Sequence, residues 1–215
     1  MSESSVRERI LDAAFTAFIG GGYAATSTAE IAARARVSKR ELYALVGNKQ
    51  DMLVACISER ARRLHLPVDL PRICDRKTLA RVLVSFGSQL VREVSDPTVM
   101  ATFRLAIAEA SRAPEVAFSL DSIGRESTRV ALRTIMAQAK RARLLNGRPP
   151  ELAQLFSALL FGDLLVSLLL GVAEQPSSSE VKGRAEDATT AFLRLCARST
   201  SFGTESTSAH PRKSR

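Results

Sequence analysis

Two histidines, His65 and His210, and three cysteines, Cys56, Cys74 and Cys196, are all that the 215 residues offer a metal site or a catalytic triad. They are too few and too scattered for either, and no nucleophile–base pair stands out. No catalytic residue, metal or cofactor is therefore expected. The cysteines do not pair off evenly, which fits a reducing cytoplasm. The opening MSESSVRERI holds no apolar run of signal-peptide length. From residue 76 onward nothing reads as a strand, and no internal repeat is present. The most apolar stretch, residues 152–171, contains Gln154, Ser157, Asp163 and Ser167. A central Asp costs about 2.5–3.5 kcal/mol on an insertion scale. A buried helix is expected there, with no membrane partner.

What is present suits a packed helical protein. The chain is 46% apolar and 25% charged, and its net charge of +9 suits an anionic partner. That charge is not gathered at one end. Residues 1–53 hold seven Lys/Arg against six Asp/Glu. Placement of individual cations therefore says more than the total.

Residues 26–43, TSTAEIAARARVSKRELY, are the most informative stretch. Ser27 with Glu30 makes a capping box that opens a helix at Thr28, and Ser38 with Glu41 opens a second almost at once. Only a turn at Arg36-Val37 fits between them. Two short helices so joined must cross steeply, which presents the second to a DNA major groove. Leu42 and Leu45 point inward on that helix; Lys39, Arg40, Tyr43 and Ala44 point out. Arg40 is placed to read a guanine edge and Tyr43 to bond a phosphate through its hydroxyl. Thr26, Ser27, Ser38 and Lys49 lie at helix starts, where backbone amides face phosphates.

Over residues 7–53 the chain resembles the tetracycline-repressor (TetR) family of transcription regulators. The resemblance is carried by Gly22-Tyr23, Glu30-Ile31-Ala32, Ala35, Val37-Ser38, Leu42-Tyr43 and Gly47-Asn48-Lys49. Arg36 stands where the family usually has Gly, and costs about 1 kcal/mol if φ is positive there. Leu45 and Val46 replace the usual His and Phe, and Ala44 a common aromatic; the His and that aromatic often touch the DNA backbone in relatives. The resemblance implies a two-fold homodimer paired through its last two helices, a small-molecule effector in the C-terminal bundle, and double-stranded DNA with a palindromic operator as partner.

The expected architecture is all-α, with about nine helices: a three-helix DNA-binding head (residues 1–53), a ligand-binding and dimerisation bundle (54–198) and a disordered tail (199–215). Residues 1–5 read as loose, and the first helix ends at Gly20-Gly21-Gly22. A fourth helix from Asn48 to about residue 64, stopped by Pro67 and Pro71, links head to bundle. Helices follow from residue 76 and from Pro97, then one long helix over 115–145, one over 152–170, and a last one from Val181 to Cys196. The apolar circumference of the 152–170 helix needs partners on two sides, one of them a second chain. Phe86, Gln89, Leu90, Met100, Phe103, Arg104, Ile107, Phe118, Phe156, Leu160 and Asp163 come from helices that converge, and are candidate effector contacts. Helical spacing alone equally predicts plain core for the aromatic and Met positions. Asp163 is read either as an anchor for a cationic or hydroxylated ligand or as half of an ion pair. Arg104 and Glu109 also read as a solvated face. Lys140, Arg141, Arg143 and Arg148 read as a solvated helix end, and Cys56 as buried. The expected mechanism is a repressor whose ligand moves the fourth helix and spoils the spacing of the two heads. The alternatives are a ligand-promoted repressor or activator, and a helical enzyme that kept the head as an accessory.

Overall fold

The computed structural model describes residues 3–63, 71–112 and 114–197, and every regular element among them is helical. The head consists of α1 (Glu3–Gly21), α2 (Thr28–Ala35) and α3 (Lys39–Val46), with α4 (Lys49–Arg63) leaving it. The bundle holds α5 (Arg76–Val94), α6 (Pro97–Glu109), α7 (Pro114–Ser119), a π-helical turn (Leu120–Arg125), α8 (Glu126–Arg141), α9 (Pro149–Phe161), α10 (Leu164–Leu170) and α11 (Ser178–Ala197). The expected tail, the end of the fourth helix at residue 64, Pro67, His65 and His210 lie outside the described residues. Residues 3–5, expected to be loose, form the first turn of α1.

Among the described residues eleven α-helices replace the expected nine, because two long segments are broken. Residues 115–145 contain the wider π turn between α7 and α8. The 152–170 segment starts earlier, at Pro149, and bends by 53° between α9 and α10. Gly162 takes φ +49°, which ends α9. The Arg184 guanidinium of α11 donates to the freed carbonyls of Leu160 and Phe161, at 3.4 and 3.3 Å. Arg104 does the same for α10, donating to Leu168 O at 2.6 Å and Leu169 O at 2.9 Å. The carbonyls that Arg184 meets are ones a continuous helix would have used itself, and those that Arg104 meets lie at the C-terminal end of α10. Among the described residues no single helix is long and apolar enough to cross a membrane; α9 and α10 reach that length only together, as a bent pair.

Two hydrophobic cores result. In the bundle, Leu79, Leu83 and Phe86 of α5 pack with Ile135 and Met136 of α8, Phe156 and Leu160 of α9, and Phe192 of α11. Gly87 lets α5 come close: a Cβ there would lie 3.2 Å from Leu160 and 3.4 Å from Ala185. In the head, Ile10, Ala14 and Phe18 of α1 meet Ile31 of α2, Leu42 of α3, and Met52, Leu53, Cys56 and Ile57 of α4. That core also includes Leu105 and Ala106 of α6 and Leu120 of the π turn. The division expected after residue 53 falls inside α4, whose Cys56 and Ile57 are buried with the head.

The turn between α2 and α3 follows the sequence closely. Ser27 and Ser38 each accept, at 3.1 Å, from the backbone N–H three residues on. Arg36 ends α2 in the left-handed region, φ 55° and ψ 50°, with its own N–H on Ala33 O and that of Val37 on Ala32 O. A side chain in that conformation is strained by about 1 kcal/mol relative to glycine. Arg36 is exposed, so its replacement disturbs no packing. Arg36→Gly should therefore stabilise the head by up to about 1 kcal/mol, read as a higher urea midpoint; an unchanged or lower midpoint would contradict the strain.

Candidate nucleic-acid interface and effector cavity

The outer face of α3 follows from its start. Once Ser38 caps the helix and buried Leu42 anchors it to the head, Lys39, Arg40, Tyr43 and Ala44 face solvent. Tyr43 is held: its hydroxyl lies 3.1 Å from Thr28 Oγ1, so the starts of α2 and α3 present one joined polar surface. Thr28 was not singled out from the sequence, although its place one residue after the Ser27 cap was a local signal.

Other expected contacts have structural duties. Thr26 is buried; its Oγ1 lies 2.8 Å from Gly22 O and 3.1 Å from Ala17 O, and its N–H also points to Gly22 O. It closes the α1–α2 loop and is turned away from any duplex. Ser27 and Ser38 are exposed but occupied as caps. Lys49 donates to Ala24 O at 3.2 Å and lies 4.5 Å from the centre of the Tyr23 ring, a cation–π contact that pins the same loop. Asn48 and Asp51 form a reciprocal cap: Asn48 Oδ1 accepts from Gln50 and Asp51, and Asp51 Oδ2 accepts from Asn48 N–H. Gly47, at φ 93°, makes room for it; a Cβ there would lie 2.5 Å from the Asp51 carboxylate.

In the bundle a cavity of about 580 Å³ opens between α5, α6, the π turn, α8, α9 and α10. Its apolar wall includes Leu90, Phe103, Leu120, Leu132, Phe161 and Leu165; Thr128, Gln154, Ser157 and three arginines supply the polar groups. Of the candidate effector contacts, only Leu90 and Phe103 line it. Phe86, Met100, Phe156 and Leu160 are solid core, and Gln89 is half-buried on α5 outside the lining. Arg104 caps α10. Ile107 and Phe118 are 60% and 74% exposed, so neither faces the cavity. Asp163 is exposed at the α9–α10 bend, because Gly162 turns the chain outward there. Glu109, read as a solvated face, is buried at the end of α6, where that helix packs on α1 and α7.

The arginines missed by the sequence reading are Arg125, the last residue of the π turn, and Arg129 and Arg133 on one face of α8, one every fourth residue. Asp121 of the π turn accepts from both Arg129 terminal nitrogens, at 2.9 and 3.0 Å, and from Arg125 at 3.0 Å. Glu126 accepts from Arg133 at 3.1 Å. The Arg129 guanidinium, bonding it on two edges, holds the Asp121 carboxyl below its ordinary value of 3.8.

The family description "AefR-like transcriptional repressor, C-terminal domain" matches residues 81–197, and "Bacterial regulatory proteins, tetR family" matches residues 10–56. The chain belongs to the TetR family. It is similar to a TetR transcriptional regulator from Agrobacterium tumefaciens, 30% identical, with 88% of this chain and 93% of that one covered and a TM-score of 0.70. The flavonoid-responsive regulator FrrA is 27% identical, with 90% and 97% covered and a TM-score of 0.76. The HTH-type transcriptional regulator YvkB of Bacillus subtilis (strain 168) is 23% identical over 164 residues, 76% of this chain and 84% of its own. This TetR-family chain is a DNA-binding, ligand-responsive transcriptional regulator and not an enzyme.

The Asp121 cluster makes one pH prediction. A carboxyl with a lowered folded-state pKa stabilises the fold above its ordinary value, and that contribution disappears as pH falls through 3.8 and below. Asp121→Asn should cost under about 1 kcal/mol at neutral pH, since both partners are over a third exposed. The gap from wild type should close as the pH drops below about 4. A gap that stays constant down to pH 3, roughly, would show that the ion pair contributes nothing.

Proposed function

We propose that this regulator is a two-fold dimeric repressor of a palindromic operator, released when an effector enters the α5–α10 cavity. One observation carries the reading: the cavity and the DNA-reading head share walls. Leu120 lines the cavity and is buried in the head core, while Phe103 lines the cavity and packs against both cores. Alongside them, α4 packs on α7 and the π turn. A ligand that prefers a different cavity shape acts on α4 through these two side chains, and no further than its differential affinity allows. In each head α3 enters the major groove, with Arg40 and Lys39 toward the bases and Tyr43–Thr28 toward a phosphate.

Pairing of two chains uses α9, α10 and α11. Leu155, Val166, Leu170 and Val172 are exposed there, and an open groove of about 820 Å³ runs between α9, the α10–α11 loop and α11, lined by Leu159, Leu164, Gly183, Ala188 and Ala191 among others. A second copy laid against this face removes that apolar surface from water. As a reducing-compartment protein with two heads, the dimer acts on chromosomal duplex in the cytoplasm.

Duplexes bound by the dimer can be selected from a random pool and then used in gel shifts. Arg40→Ala should weaken binding by about 1–3 kcal/mol and relax selection at one base position per half-site; Tyr43→Phe should weaken it uniformly across sequences. Wild-type affinity in both variants would reject the α3 assignment. Light scattering on eluted protein at micromolar concentration should give twice the chain mass, and Leu155→Asp with Val166→Asp should halve it. A wild-type monomer would reject the pairing face.

A further inference from the structure

We propose that the cavity takes an amphiphilic monocarboxylate, an apolar aliphatic or aromatic body with one acid group, its carboxylate gripped by Arg129 and Arg133. This rests on the reading of the cavity as the effector site. The ionisable residues among its lining are Arg125, Arg129 and Arg133, and no carboxylate is among them. Facing that row are Leu90, Phe103, Phe161 and Leu165, with Gln154 and Ser157 of α9 as neutral polar groups. A cationic ligand meets three guanidinium groups; a purely apolar one leaves them without a new partner. An acid with an apolar body matches both walls.

The arginines are oriented before any ligand arrives. Asp121 and Glu126, outside the lining, accept two hydrogen bonds from Arg129 and one from Arg133. A guanidinium has five N–H donors in a planar fork, so further donors on both remain for a carboxylate. A ligand acid on Arg129 shares that guanidinium with Asp121, the neighbour in sequence of Leu120, whose side chain belongs to the head core. Charge at the cavity wall is thereby tied to the packing of α4.

Calorimetric titration of the full chain with decanoate, decanol and decylamine tests this, since the three share a chain and differ in head group. Decanoate should bind at least tenfold more tightly than decanol, with decylamine weakest, and should weaken as salt is raised. Arg129→Gln with Arg133→Gln should erase the preference for decanoate while leaving decanol binding in place. Arg133→Gln alone, with circular dichroism as a check of folding, gives the partial effect should the double variant not fold. Decanoate binding no tighter than decanol, no decanoate binding at all, or a preference that survives these variants overturns the proposal. Ser157→Phe, which fills the cavity, separates the two levels. If it leaves decanoate binding untouched, the cavity is not the site and the underlying reading fails. If it removes binding of decanol in a protein that shows no preference for the acid, the cavity stands and only the ligand class is wrong.

Discussion

A head of one long helix and two of eight residues cannot enclose a core by itself, and the fold answers by lending it residues from the bundle. Leu105 and Ala106 of α6 and Leu120 of the π turn are buried with Ile10, Phe18, Leu42 and Ile57. Short helices gain most of their stability from tertiary packing rather than from propensity. The reading head is therefore ordered only as far as the bundle beneath it holds those three side chains in place. Its orientation is a property of the whole chain.

That dependence explains the irregular backbone between α7 and α8. A regular helix through residues 115–145 presents one continuous stripe, whereas this segment has to serve two cores and a cavity in succession. The wider π turn resets the register: Leu120 goes to the head, and Arg125, Arg129 and Arg133 go to the cavity. π turns of this kind are costly and tend to occur where function requires them. The bend at Gly162 serves a similar end, sending α9 and α10 in two directions while Arg184 satisfies the carbonyls it exposes.

The parts legible in the sequence were those governed by local rules. Ser27/Glu30 and Ser38/Glu41 announce their helices because a cap is decided within four residues, and the left-handed φ of Arg36 was signalled only by its standing where the family usually has Gly. The cavity was far less legible. Periodicity finds apolar faces but cannot say which apolar residue meets another and which meets a void, so Phe86 and Phe156 looked no different from Phe103. Ile107 and Phe118 share the helical spacing of inward residues, yet both are exposed. The break at Asp163 was hidden inside an apolar run. The arginine row at 125, 129 and 133 carried a visible four-residue period, and went unread because charged side chains on a helix are ordinarily solvated.

The tethering of Lys49 to Tyr23 and Ala24 bears on how the protein feels its ionic surroundings. A neutral carbonyl and a ring face leave the ammonium its full charge while fixing where it sits. In the proposed DNA complex that cation is in place before any duplex arrives, so its attraction to phosphates carries little ordering cost for the side chain. Added salt would weaken that attraction as it does any other phosphate contact.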